Sequence, residues 1–394
     1  MLNKGVSVIA STSKWLLLFV VLVLSGLTAS AQKFNEIDTL TAGEVDARKA
    51  ITYYNHGLQL MKKSNFKGAI ESFADAVDLD STKLIYQYQL GLANFYAKNY
   101  KTTVEVMKSL IRKDAYVDRY YQILGQSYVE MREPNKAYRV YQDGLKKIPG
   151  SGALNCELGR IEYDHNNFNL AIQYWEAGIL YDPNYPSNYY YAARAFSRTS
   201  ERIWSVIYGE IFINLEISSA RTYEISKLIY EVYKRSIYIK TEKNKYLFFT
   251  DVPNRFNAKM MKDTLLVRKN FEQAYTVTGR KCLSAFKKDF NLVDLIQFRY
   301  KFVNKWYEKN FPVDFPNALF EYQRAVISAN YYDCYNYWIL SRGDIMEFNL
   351  WYERNSKRYE EFLKWLTNHP LEINKNNVVN RIQMQLRNEE TYKN

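Results

Sequence analysis

Gly57, Gly91, Gly125 and Gly159 stand 34 residues apart, three intervals running. In the same phase lie Phe66, Tyr100, Pro134 and Phe168, then Ala69, Thr103, Ala137 and Ala171. Phe73, Met107, Tyr141 and Trp175 keep the step, as do Ala76, Leu110, Gly144 and Gly178, and the unit closes on Ser81, Ala115, Pro149 and Pro183. A period of this length marks one supersecondary unit stacked on the next, because a single unit cannot bury its apolar face alone.

The pattern resembles the tetratricopeptide repeat (TPR) family. Its unit is a pair of antiparallel helices with a small residue at position eight, Ala at twenty, an aromatic at twenty-four and often Pro at thirty-two. Small residues at eight and twenty let the two helices approach, and the aromatic is expected to fill the gap to the neighbouring unit. The Pro stops the second helix, since it cannot continue one and restricts the residue before it. The units are placed at 50–83, 84–117, 118–151 and 152–185, with a degenerate fifth at 186–219 and a capping helix at 221–237. The chain is thus expected to be all-α: a TPR helix-pair solenoid, 50–237, followed by an aromatic-rich basic helical region, 240–394.

In that family the first helix of each unit lines a concave groove. Carried over position by position, the resemblance implies a groove of Tyr54 and Leu58 from the first unit, and Tyr88, Leu92, Phe95 and Tyr96 from the second. The third offers Arg119, Gln122, Gln126 and Glu130, the fourth Arg160, Tyr163 and Asp164, and the fifth Tyr190, Arg194 and Arg198. One end is apolar and aromatic, the other polar with several arginines. Arg160 and Arg194 share position nine of adjacent units. Either a carboxylate of a bound peptide balances them, since Arg can grip one with two hydrogen bonds, or Asp164 and nearby acids do. The Lys/Asn/Arg set by which some TPR proteins clamp a C-terminal carboxylate is missing.

The N-terminus reads as an address. Lys4 and Lys14 precede an apolar run, Trp15 to Leu27, and Ala29-Ser30-Ala31 follows it. A charged start, a short apolar stretch and an Ala-x-Ala site make a secretory signal peptide over 1–31, with 32–49 a lead-in to the array. The run falls short of the ~20 residues of an ordinary membrane span, and no second long run exists, so no transmembrane segment is expected after cleavage. The expected location is the periplasm or cell envelope of a Gram-negative bacterium.

Charge is distributed unevenly along the 394 residues, whose formal net charge is +12. Residues 32–219 balance 22 basic against 22 acidic side chains, whereas 220–394 carry 30 against 20. A basic half attracts acidic or anionic partners. Nucleic acid is not expected of an exported chain, despite aromatic and basic residues interleaved at Phe298-Arg299-Tyr300-Lys301 and Lys305-Trp306-Tyr307. An acidic protein surface or an anionic envelope component suits the half better. After a break at Lys240–Pro253, where Tyr246–Thr250 is a short strand or irregular, helical periodicity predicts helices over 263–276, 294–309, 317–341 and 344–368. Asp294, Asn317 and Asp344 are candidate N-caps.

Chemistry is sparse. His56, His165 and His369 have no metal-ligand neighbour at helical spacing, so no metal and no cofactor is expected; His56 reads as a packed core residue. Cys156, Cys282 and Cys334 are too few and too scattered for a disulfide framework. No nucleophile elbow, phosphate-binding loop or dinucleotide fingerprint occurs. The sequence therefore points to a non-catalytic scaffold or adaptor that holds a protein or peptide in the groove. An envelope enzyme working in the C-terminal half, or a cell-wall or membrane-surface anchor there, are the alternatives.

Overall fold

The computed structural model describes residues 41–241, 245–249, 270–283, 286 and 290–384. The expected signal peptide, most of the expected lead-in, residues 263–269 of one expected helix, Thr250 and the last ten positions lie outside the described residues. The chain divides into two compact units, Met1–Lys49 and Ala50–Asn394. Of the first, the described part opens helix α1 (Ala42–Lys62), where Thr41 and Glu44 cap each other reciprocally.

In the second unit, helices follow in hairpins. After α1 come α2 (Phe66–Leu79), α3 (Leu84–Tyr96), α4 (Tyr100–Lys113), α5 (Asp118–Glu130), α6 (Pro134–Lys147), α7 (Gly152–Asp164) and α8 (Phe168–Tyr181). They are followed by α9 (Pro186–Phe196), α10 (Arg202–Leu215) and α11 (Ala220–Ser236). From α2 on, each packs on the next, and α5, α7, α9 and α11 also pack in series as first helices. Pro149 and Pro183 stand just past the ends of α6 and α8.

The turn inside each of the first four hairpins has one geometry. Ser64, Lys98, Arg132 and Asn166 are left-handed, with φ of 56°, 64°, 62° and 65°. The N–H after each reaches back five residues: Asn65 to Leu60 O at 2.9 Å, and Asn99 to Asn94 O, Glu133 to Tyr128 O and Asn167 to Glu162 O, all at 2.8 Å. This bond pattern satisfies carbonyls that a helix end otherwise leaves without partners.

The glycines at position eight receive the large side chain of their own unit, and that of the fourth unit, Trp175, also stacks on Tyr191 of the next unit at 5.5 Å, as expected. A Cβ on Gly125 would lie 2.1 Å from the Tyr141 ring, and one on Gly159 2.3 Å from Trp175 Nε1. It is the small residue three positions further on that admits the next unit. A Cβ on Gly144 would meet Leu154 at 2.7 Å, and one on Gly178 would meet Asn188 at 2.3 Å.

Beyond α11 a short antiparallel hairpin, β1 (Ile237–Ile239) and β2 (Lys245–Leu247), pairs Tyr238 with Tyr246. Then come α12 (Phe271–Leu283), α13 (Leu292–Glu308), α14 (Phe311–Asp314), α15 (Ala318–Ser328), α16 (Tyr332–Leu340) and α17 (Ile345–Asn368). Three expectations change here. Asp294 is the third residue of α13, in a capping box with the true N-cap Asn291. The helix expected over 317–341 is two, because Asn330 turns left-handed at φ 60° and lets Tyr331 N–H bond Val326 O at 3.0 Å. The first of the series continues to Leu283, past Thr276, because Cys282 and Leu283 are buried. Asn317 and Asp344 do cap α15 and α17 through their side chains.

One buried cluster runs from Ala171 through the C-terminal helices to Met384. Inside it, Arg299 of α13 gives Nη2 to Glu210 of α10 at 2.6 Å, Nη1 to the Tyr233 hydroxyl at 2.9 Å and Nε to Asn336 at 2.5 Å. Gln323 and Tyr335 donate to the same Glu210 oxygen at 2.6 and 2.9 Å. Arg299 and Glu210 are 3% and 1% exposed, so the pair tolerates burial only because these partners satisfy it. Burial also pushes the Tyr233, Tyr275 and Tyr335 phenols up. All three cysteines are free and buried.

Candidate binding groove

The first helices place the predicted groove residues in two different environments. In units one to three the face is apolar and partly open. Tyr96 is 51% exposed, and its ring stacks on Phe66 at 5.5 Å. Phe95 is half-buried, edge-on to Tyr96 at 5.7 Å and to Tyr100 at 5.6 Å. Tyr88 is half-buried against Tyr120 at 5.7 Å, and burial raises its phenol while nearby Arg119 opposes the rise. Arg119 is exposed and has no ion pair among the described residues. Tyr54 is a packing residue, wedged between Tyr86 at 5.0 Å and Phe73 at 5.9 Å. Three residues that the sequence reading passed over belong with this face. Ile51, Ile85 and Val129, at positions two, two and twelve of their units, are 50%, 45% and 42% exposed. They sit at positions the family's groove uses, so the signal was present.

In units four and five the face closes on itself. Glu157 of α7 is the hub. Gln122 and Gln126 of α5 donate to its Oε1 at 3.3 and 3.0 Å, and Arg160 donates to its Oε2 at 2.8 Å. The Arg160 guanidinium also lies 5.7 Å over the Tyr191 ring. Next to this, Glu224 of α11 accepts from Tyr190 at 2.6 Å and from Arg194 at 2.9 Å. Tyr190 is buried between two guanidinium groups, those of Arg194 at 5.1 Å and Arg221 at 5.0 Å. Arg221 in turn pairs with Glu216 and donates to Ser187 at 3.0 Å. Arg160 and Arg194 are therefore each balanced by a carboxylate of the chain itself. That carboxylate is Glu157 or Glu224; Asp164 is exposed and forms no ion pair among the described residues. Glu157 stands three residues before Arg160, a helix-face spacing that could have identified it.

Tyr163 and Arg198 form a third set at the same end. Arg198 donates to the Tyr163 hydroxyl at 3.1 Å, and the Tyr163 ring packs on Phe168 and Trp175 at 5.1 and 5.8 Å. Arg198 is exposed and has no carboxylate partner among the described residues. The groove thus offers an open apolar strip, then a self-neutralised polar wall with one guanidinium at its rim that no carboxylate of the described residues balances.

His56 is exposed, not packed in the core, and its Nδ1 lies 3.0 Å from the Ser72 hydroxyl of α2. His369 stacks on Trp365 at 4.6 Å. Among the described residues there is no cluster of side chains suited to a metal ion, and no helix is long and apolar enough to cross a membrane.

No protein-family model matches the chain. Over 61 residues it is 31% identical to tetratricopeptide repeat protein 21B of Homo sapiens, covering 16% of this chain and 5% of that protein. Over 83 residues it is 28% identical to tetratricopeptide repeat protein 8 of Mus musculus, covering 21% of this chain and 16% of that protein. The chain thus spans only a small part of the length of these curated relatives. Among solved structures, a thermophilic TPR protein of Thermus thermophilus aligns with 46% of this chain and 98% of its own, at 13% identity and TM-score 0.39. Pseudomonas aeruginosa PilF aligns with 48% and 86%, at 16% identity and TM-score 0.40.

Proposed function

We propose that this chain, a tetratricopeptide repeat protein, is a non-catalytic scaffold of the bacterial cell envelope that holds a peptide segment of a partner protein on the first-helix face of units one to three. The observation that carries the reading is the contrast along that face. Ile51, Ile85, Tyr96 and Val129 are between 42% and 51% exposed, whereas Gln122, Gln126, Arg160 and Arg194 are already bonded to Glu157 and Glu224. A row of open apolar side chains on a preformed surface is suited to the apolar side chains of a partner segment. Rim cations at Arg119 and Arg198 suit acidic residues flanking that segment. The export address at 1–31 supports the envelope location, and the basic C-terminal half supports a second, acidic or anionic, envelope partner.

The reading is tested by crosslinking in the native envelope with wild type and with Ile85→Asp/Tyr96→Asp. Both positions are on the surface, so the variant should fold. Proteins captured by wild type and lost from the variant support the groove; identical capture by both refutes it.

A further inference from the structure

A second site lies away from the groove, in the basic C-terminal half. The turn between α15 and α16 (Ala329, Asn330, Tyr331) and the middle of α17 (Arg354 to Arg358, with Glu361) enclose an open cleft of about 490 Å³. That is the size of a small-molecule site, for which roughly 300–1,000 Å³ is usual. Arg358 is fixed as one wall, donating to Asp333 at 2.8 Å and to the Asn330 carbonyl. Arg354 and Lys357 also line the cleft, one helical turn apart, exposed and without an ion pair among the described residues. Like charges at this spacing repel, and Glu361, the one acid lining the cleft, lies within salt-bridge distance of neither among the described residues. Asn330 and Ser356 add uncharged donors, and Asn355, whose Nδ2 is committed to Trp351 O at 2.8 Å, adds an acceptor.

We infer that this cleft binds a phosphomonoester: a small polar body carrying a terminal phosphate. Two neighbouring cations suit a dianion, and a single carboxylate would meet only one of them. A phosphate offers several acceptor oxygens, enough for an Arg fork, a Lys point charge and a Ser hydroxyl, all carried on one stretch of α17. The volume exceeds that of a bare phosphate and leaves room for the body beside Asn355 and Tyr331. The inference does not rest on the groove reading.

The test titrates the full-length processed chain with glucose 6-phosphate by calorimetry at low salt. Glucose and inorganic phosphate serve as comparisons, and phosphatidylcholine vesicles with and without phosphatidic acid form a parallel arm. The expected result is saturable binding of glucose 6-phosphate, tighter than of glucose, that weakens as salt is added. Arg354→Gln/Lys357→Gln should weaken it at least tenfold with no change in helix content or melting. Binding only to phosphatidic acid vesicles, lost in the same variant, assigns the phosphomonoester to a lipid headgroup. No binding in either arm, or equal binding by the variant, overturns the inference. Either result leaves the capture experiment on Ile85 and Tyr96 untouched.

Discussion

Arg381 donates from Nε and Nη2 to the two carboxylate oxygens of Glu176, at 3.1 and 2.7 Å, across 205 positions of chain. Glu176 belongs to α8 in the fourth unit and is 0% exposed; Arg381 lies beyond α17. Around the pair, the Tyr208 hydroxyl donates to Glu176 at 2.9 Å and accepts from Arg381 N–H at 3.0 Å, and Asn380 donates to the Glu176 carbonyl at 2.7 Å. Leu371, Ile373, Val378 and Val379 are buried along the same segment. The C-terminal residues are thus part of what holds the fourth and fifth units, and the two halves of this compact unit share one core.

Arg381→Met should therefore destabilise far more than an ordinary surface change. It leaves the Glu176 carboxylate buried without its cation, a loss of about 3 kcal/mol for a broken buried pair. Denaturant unfolding measures the loss, and hydrogen exchange should rise first over residues 371–384. Glu176→Gln/Arg381→Met should recover much of it, because no buried charge is then left unpaired. A single variant as stable as wild type would show that the segment does not hold the array.

Glu272 of α12 makes stability depend on pH. Burial raises its pKa above 4.5, while the Trp204 indole N–H at 2.8 Å opposes the rise. The folded state then binds the proton more tightly than the unfolded state, so the contribution of Glu272 to stability is greatest at low pH and falls as pH climbs from about 4.5 through the raised pKa. Glu272→Gln keeps an acceptor for Trp204 and removes the charge. The variant should be the more stable at pH 7, and its advantage should shrink toward pH 4. Melting curves across that range check it; an advantage that grew on acidification would reverse the sign.

Gly159→Ala should cost about 1–3 kcal/mol, the usual toll of forcing atoms into a filled core. Its Cβ would fall 2.3 Å from Trp175 Nε1, an indole whose N–H is held by the Cys156 carbonyl at 3.2 Å. Gly150 is the control, since nothing lies within 4 Å of a Cβ built there. Equal stability of the two variants would contradict the packing account.

The array was legible because its signals are volumes repeated at a fixed spacing: a glycine at position eight and a large side chain at twenty-four recur in four successive units. The hairpin turns were not. A helix end that turns left-handed is normally announced by glycine, and here Ser64, Lys98, Arg132 and Asn166 take that conformation instead. The same holds for Asn330, which is why α15 and α16 read as one helix. At the groove, the residue types were readable but not their pairing. The acids expected near Arg160 and Arg194 are Glu157, three residues before Arg160, and Glu224, two helices beyond Arg194 on α11, rather than Asp164. The bonds across the chain, Arg299 to Glu210 and Arg381 to Glu176, have no local signature at all.

The most direct measurement places a photo-crosslinking phenylalanine analogue at position 96, on the open apolar face, and in a second protein at position 116, an exposed tyrosine (73%) in the α4–α5 loop. Irradiation in the native cell, followed by peptide mapping, reports what touches each. The account predicts crosslinks from position 96 to one short segment of a partner, absent or much weaker from 116. Crosslinks of equal yield from both positions, or none from 96 while the intact chain still captures its partner, would contradict it.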